Sequence, residues 1–471
     1  MVKTIVKSSS WEKTAPNFLA ISPLDGRNYH KVAPLSQYFS EYALNRARVY
    51  VELTYLLYLV KIRVAPNLTK RQSQKLLNIH KKFDESAIRE VRTIEHSTNH
   101  DVKAVEYYLK IKLQKLGLKS HQEWLHWALA SEDVNNLAYG LLLRDYHREV
   151  LLPLVKKALD QLARVAEKAN IPMLGRTHGQ PASVTTLGKE LAVYLSRFQI
   201  TLDQFKSTKF YGKLGGAVGS YADQAALDQS KNWPSLLAAY IKSLGFEPIP
   251  ISTQIAPYEH LASYFSQLQI LQETAVDLTQ NLWWYISFEY FVQTKKTGEV
   301  GSSIMPHKIN PIYLEGAEGG FQLANALLGF YSQKFLHSRL QRDLSDTTVR
   351  RSFGIAFGYS YLSWQSLIEA LERLTPNRVT LERDLDQHWE ILAAPVQNYL
   401  RTKGYLKPYE LLKNKTRGQR FTREEWVKLI GSLKLETADQ VYVLSLTPQT
   451  LAKTSTKLAK QAIARYQKAY Q

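Results

Sequence analysis

Residues 258–294 read YEHLASYFSQLQILQETAVDLTQNLWWYISFEYFVQT, a stretch with neither glycine nor proline. Apolar side chains fall at Leu261, Tyr264, Phe265, Leu268, Leu271, Val276, Leu278, Leu282, Tyr285 and Ile286. Three-and-four spacing of this kind lays a continuous apolar stripe along one face of an α-helix. At 1.5 Å per residue such a helix runs about 55 Å, against ~30 Å for the width of a small domain. It needs partners of similar length.

Residues 131–169 and 182–209 supply them. The first begins with Ser131 as a capping residue and an acidic first turn, and it contains Pro153, which should kink it. Residues 310–336 and 353–374 are two more candidates. The fold class expected is all-α, a long central helical bundle of up-and-down type flanked by two smaller helical domains. Residues 1–118 form the first flank, with helices broken near Pro66 and around 98–101. Residues 119–372 form the bundle. Residues 373–471 form the second flank, punctuated by Pro395, Gly404, Pro408, Gly418 and Gly431.

Composition narrows the function. The 471 residues are 45% apolar and 22% charged, a balance without disorder bias. The absence of cysteine excludes disulfides, thiolate nucleophiles and cysteine-ligated metals. No run of eighteen uncharged apolar residues suggests a membrane span. The N-terminal segment lacks the apolar core and cleavage site of a secretory signal, so a loose tail on a cytoplasmic protein is expected. Net charge is +19, which invites a nucleic-acid reading. The basic residues are nevertheless spread through the helices, without an arginine-rich arm or zinc-finger spacing. A generally basic surface is the plainer reading; a small polyanionic substrate is also compatible, and charge alone does not choose.

Residues 297–311, TGEVGSSIMPHKINP, interrupt the helical pattern with glycines, serines and prolines. Composition alone makes Ser302 an ordinary turn serine. Lys308 and Asn310, close behind it, are residues a plain linker does not need, and loops held between rigid elements commonly carry chemistry. The segment GSSIMPHKINP resembles the signature loop of the fumarase/aspartase superfamily. Further segments are similar to the adenylosuccinate lyase family, and they follow in its order: SPLDGR (22–27), TNHDVKAVEYYL (98–109), SEDVNN (131–136), GRTHGQPA (175–182), GGAVGSY (215–221), TQIAP (253–257) and QRDLSDTTVRR (341–351). KPYELLKNKTRG (407–418) resembles the C-terminal domain of the bacterial type. The likeness covers nearly the whole chain from about residue 20.

The resemblance implies β-elimination of fumarate from adenylosuccinate and from the succinylated carboxamide ribotide of purine synthesis. It implies Ser302 as general base and His178 as general acid. Imidazole suits the second task because its ordinary pKa lies near neutrality. The substrates carry roughly four negative charges, which Arg27, Lys308, Arg342 and Arg351 could meet. Asn310 joins Lys308 as a donor to the charge that grows on the substrate carboxylate. Matched substrate-binding positions are Tyr29, Asn99, His100, Asp101, Ser131, Thr177, Gln254 and Thr347. His100 is implied to bind phosphate or orient the acid, and Asp101 to orient His100 or cap a helix. His126, on an expected helix five residues before Ser131, reads as either a core or a site histidine. Glu315 is a candidate support for Lys308.

Three positions depart from the family pattern. Ala130 stands where threonine is common, Asn28 separates the arginine from Tyr29, and Thr347 replaces serine. The resemblance further implies a homotetramer with active sites shared between subunits. No zinc, calcium or dinucleotide pattern occurs, so neither metal nor cofactor is expected. The rival readings are another fumarate-releasing lyase such as argininosuccinate lyase or fumarase, a basic nucleic-acid-binding protein, and a homologue that has lost catalysis.

Overall fold

The computed structural model describes residues 19–295, 298–299 and 304–470. Among the described residues its regular secondary structure is helical apart from three two-stranded pairings. The elements that place the site are α1 (Glu41–Lys61), α2 (Asp101–Lys115), α3 (Ser131–Tyr146), α4 (Leu152–Lys168), α5 (Leu187–Lys206), α6 (Glu259–Ser287), α7 (Ile312–Lys334), α8 (Ser345–Arg350), α9 (Phe353–Arg373) and α10 (Arg378–Asp386). The strands are β1 (Pro172–Thr177), β2 (Gln180–Thr186), β3 (Tyr211–Gly212), β4 (Glu247–Pro248), β5 (Phe291–Gln293) and β6 (Leu374–Pro376).

The long helices form where the periodicity places them, with informative differences at their ends. The 258–294 helix stops at Ser287, after 29 residues, or about 44 Å. Glu289 takes a left-handed conformation, φ 60°. Its amide bonds to the Ile286 carbonyl, and the Tyr290 amide reaches back to Tyr285 at 2.8 Å. That pair of bonds is a Schellman cap with glutamate in the position glycine usually fills. Beyond it, Phe291–Gln293 pair antiparallel with Leu374–Pro376.

The kink expected at Pro153 takes the form of a π-turn over His147–Leu151, between α3 and α4. Proline lacks an amide hydrogen and crowds the carbonyl four residues back, and the wider turn makes room for its ring. Ser131 does not cap α3. Ala130 is the cap residue, and the Asp133 carboxylate accepts its amide at 2.9 Å. The helix expected from residue 182 begins only at Leu187. Before it, the β-branched run Val184–Thr186 extends β2 against β1.

The chain clusters into two units, one of residues 1–153, 204–272 and 320–362, the other of 154–203, 273–319 and 363–471. This partition follows packing, whereas the three-segment division above follows helix length along the chain. The first unit is centred on aromatic rings. Phe39 stacks on Phe357 at 4.8 Å, and Phe265, Tyr331, Phe335 and Phe353 meet mostly edge to face around them. Such arrangements suit ring quadrupoles as well as apolar burial. The second unit holds a C-terminal core of Trp389, Leu392, Val396, Leu400, Leu412, Trp426, Ile430 and Val443. Among the described residues no helix is long and apolar enough to cross a membrane.

The Schellman cap makes a direct prediction. A left-handed residue other than glycine costs about 1–2 kcal/mol, partly offset by glycine's greater chain entropy. Glu289→Gly should therefore stabilise the protein by about 0.5–1 kcal/mol, read as a higher urea midpoint with an unchanged slope.

Candidate active site

The polar run SEDVNN organises the first unit. It lies at the N-terminus of α3, and Glu132, Asp133, Asn135 and Asn136 are all buried. Glu132 receives Arg350 through both guanidinium nitrogens, at 2.7 and 2.8 Å, and the Tyr258 hydroxyl at 2.5 Å. Burial alone would lift its carboxyl pKa. The Arg350 charge and hydrogen bonds, the Tyr258 hydroxyl and Arg342 outweigh burial and hold it below the ordinary carboxylate range. Asp133 accepts Lys213 Nζ at 2.7 Å and the amides of Ala130, Gly215 and Gly216. Asn135 accepts Arg48 Nε at 2.9 Å, and Asn136 pairs with both backbone groups of Lys213. Four consecutive-zone polar residues thus fix four other segments against one helix start.

Some of the positions singled out by the resemblance are tied to those anchors. Arg342 bonds to Asp346 at 2.7 Å and to the Thr347 hydroxyl at 3.2 Å, while Arg350, on the same short helix α8, is the buried partner of Glu132. Arg351 is half-exposed and reaches Asp101 at 3.0 Å. Asp101 also receives Arg48 at 2.7 Å and the Val102 amide. Burial opposes its charge, but these donors prevail and its pKa is lowered. Asp101 therefore orients two arginines. His100 caps α2, with Nδ1 accepting the Lys103 amide at 3.2 Å, after Asn99 has turned the chain through a left-handed conformation. Both are exposed.

Gln254 donates to the Ala217 carbonyl at 2.9 Å, and its amide bonds to Gln341 beside Arg342. Its loop lies directly on the GGAVGSY turn: a Cβ on Gly219 would stand 2.0 Å from the Ser252 carbonyl oxygen. Gly219 has φ +76°, so neither space nor conformation admits another residue there. Ser131 is partly buried at the start of α3. Arg27 is exposed and Tyr29 partly buried on the 22–29 turn, without a side-chain hydrogen bond to any described residue.

His126 is on no helix. It lies in the turn before α3 with φ 57°. Its Nδ1 is 2.6 Å from the buried Glu52, whose other oxygen accepts the His126 amide at 3.0 Å.

In the second unit the structure makes GRTHGQPA a β-hairpin. β1 and β2 pair antiparallel, Thr177 opposite Gln180, and His178–Gly179 are its two-residue loop. Both loop residues have positive φ, 52° and 74°. That is the pattern of a type I′ turn, whose twist matches the strands. His178 and Thr177 stand exposed at the tip.

Ser302 lies outside the described residues. In the flanking sequence, Glu299 is clasped by Arg373 through two bonds of 2.7 and 2.8 Å, the Lys308 amide bonds to Met305, and Gln293 donates to the Ile309 carbonyl. The Lys308 side chain is exposed and Asn310 half-buried. Glu315 accepts the Trp283 indole at 3.2 Å. No cluster of three potential metal ligands occurs among the described residues.

The residues that sequence reasoning passed over are the buried anchors Arg48, Glu52, Glu132, Asp133, Asn135, Asn136, Lys213 and Arg350. Their signal was present: charged and amide side chains interrupt otherwise apolar helical faces, and such groups are buried only when partnered.

A family model described as "Lyase" matches residues 26–322, and a second, described as "Adenylosuccinate lyase C-terminal", matches residues 338–452. The first spans more than half the chain and, with the helical core, defines a lyase of the fumarase/aspartase class. The adenylosuccinate lyase of Buchnera aphidicola subsp. Baizongia pistaciae is 40% identical, over 95% of this chain and 98% of that one. The adenylosuccinate lyase of Haemophilus influenzae is 38% identical, over 94% and 98%. The chain belongs to the adenylosuccinate lyase family. The fold is shared with the crystal structure of a fumarate lyase from Mesorhizobium sp. BNC1, with TM-score 0.72 and 16% identity over 92% of this chain and 97% of that one.

The His126–Glu52 pair predicts a pH signature. Burial disfavours the imidazolium, but Glu52 outweighs burial and raises the pKa above 6.5. The stabilisation is therefore complete below the unfolded value and fades as pH climbs through the folded one. His126→Asn, which tolerates the left-handed turn, should lower the urea midpoint more at pH 5.5 than at pH 8.5.

Proposed function

We infer that this chain eliminates fumarate from adenylosuccinate, leaving AMP, and from the succinylated aminoimidazole carboxamide ribotide, leaving AICAR. The observation that carries this reading is near-full-length identity of 38–40% with curated adenylosuccinate lyases. The motif order from SPLDGR to KPYELLKNKTRG supports it.

In this reading Ser302 takes the proton from the carbon beside a substrate carboxylate. Negative charge builds on that carboxylate, where Lys308 and Asn310 donate. The carbon–nitrogen bond then breaks, its electron pair leaves with nitrogen, and His178 protonates that nitrogen. A neutral hydroxyl is a weak base, so the Lys308 charge and loop amides must favour the alkoxide. The exposed turn suits an acid that meets a leaving group delivered from outside its own hairpin. Arg27, Arg342 and Arg351 would hold the anionic groups. Tyr29, Asn99, His100, Ser131, Thr177, Gln254 and Thr347 would supply hydrogen bonds, with Asp101 aiming Arg351. No metal or organic cofactor takes part in these steps.

The assembly belongs to the same reading, a homotetramer with each site shared between subunits. It is supported by large apolar side chains left bare on the long helices, among them Ile200 at 69%, Trp284 at 54% and Leu323 at 53% exposure. Monomeric surfaces seldom carry such rows.

Purified protein mixed with adenylosuccinate should release fumarate and AMP in equal amounts, and release of neither would overturn the reading. Ser302→Ala and His178→Asn should each lower kcat by at least about 10²-fold with little change in KM. Asn-Gly is itself a favoured type I′ pair, so the second variant keeps the hairpin. Unfolding and refolding the two inactive variants together should restore activity if subunits share sites, and variants that stay inactive together would argue for self-contained sites.

A further inference from the structure

The His178 turn sits on a hairpin of two strands, and two strands alone are marginally stable in water. Part of its support is apolar: Leu174 and Val184 pack on Leu385 of α10 and on Ile391. The rest is ionic. Arg176 lies two residues before His178, at the one irregularity in the β1–β2 register, between Gly175 and Arg176. Such irregularities re-aim side chains. Its Nη2 lies 2.7 Å from Asp384 Oδ2, and its Nη1 donates to the Tyr290 hydroxyl at 2.5 Å. The Tyr290 hydroxyl donates in turn to the same Asp384 oxygen. The guanidinium also stands 5.1 Å over the Phe288 ring. Each member of this triangle is thus held by the other two.

The triangle is anchored to rigid elements. Tyr290 is the last residue of the α6 cap, and its carbonyl accepts the Asn377 amide at 2.8 Å, where Asn377 caps α10. Asp384 stands on α10 next to Leu385, so one helix supplies both the apolar and the ionic grip on β1. The other Asp384 oxygen faces His388 at 3.9 Å, and His388 is held by Glu390 at 2.7 Å. Asn377 also marks where the chain leaves the β5–β6 pairing, whose first strand leads into the 297–311 segment.

We propose that Asp384, Arg176 and Tyr290 are positioning residues for the elimination, fixing the direction in which the hairpin presents His178 to the leaving nitrogen. This rests on the reading of His178 as the acid. Arginine is required because a flat fork bonds carboxylate and phenol together, which a single ammonium does less well. A tilt of the strand moves the imidazole at its tip, and a displacement of about 1 Å from reacting geometry can lower a rate about 10²-fold.

The test is steady-state cleavage of adenylosuccinate by Asp384→Asn, Arg176→Lys and Tyr290→Phe, alone and combined with His178→Asn. Each single change should lower kcat about 10- to 100-fold with KM within about threefold, while Asp384→Asn in the His178→Asn background costs nothing further. A purely structural role would lower the residual activity of His178→Asn by the same factor as the wild type, and that result overturns the proposal. So does wild-type kcat in Asp384→Asn and Arg176→Lys while His178→Asn is inactive. Full activity of His178→Asn would instead overturn the acid assignment itself, and the positioning role with it. If Asp384→Asn fails to fold, Tyr290→Phe carries the test, because it keeps the ring and removes only the bridging hydroxyl; an unchanged kcat there also overturns the proposal.

Discussion

Two neighbouring carboxylates, Glu132 and Asp133, enter the apolar interior at the start of α3, and the first unit is arranged around neutralising them. A buried carboxylate without partners is prohibitively unfavourable, so each draws in a cation and several further donors. Glu132 takes Arg350 and Tyr258, and Asp133 takes Lys213 and three amides. Removing one partner of such a pair typically costs about 3–5 kcal/mol, because the other charge stays buried. The segments so recruited come from residues 213–216, 258 and 342–350, far apart in sequence.

The two units present their chemistry differently. In the first, charged side chains are paired among themselves: Arg351 with Asp101, Arg342 with Asp346. Any anion approaching those arginines would compete with the carboxylates or share the arginines with them. In the second, the imidazole at the hairpin tip is exposed, and Arg176, two residues before it, is held by Asp384 and Tyr290. The arginines of the first unit are thereby fixed by side-chain carboxylates, whereas the imidazole of the second is carried on a two-residue turn.

Helix content was legible because a 3.6-residue period over twenty or more positions has few alternatives. The 310–336 and 353–374 readings match α7 and α9 closely. The hairpin was not legible. His-Gly is an uncommon type I′ pair, and the following Ala182–Lys209 stretch continues an apolar pattern through Val184 into α5, hiding the change from strand to helix. The end of α6 was hidden for a related reason, since a glutamate at the left-handed cap leaves no glycine to mark it. His126 could not be placed because its partner Glu52 lies more than seventy residues away. The motif residues were located by their likeness to known segments. The buried partners that fix them were visible only as polar interruptions whose mates a one-dimensional pattern does not name.

The contact over Gly219 has a consequence for how such a pocket could diversify. With the Ser252 carbonyl where a methyl group would sit, the 215–221 and 252–254 loops are pressed together at Gly219, and no side chain there can be accommodated without moving both. Remodelling the edge near Gln254 would call for coordinated changes on both loops. This corner of the molecule should change in jumps, while the exposed turns around it are free to vary residue by residue.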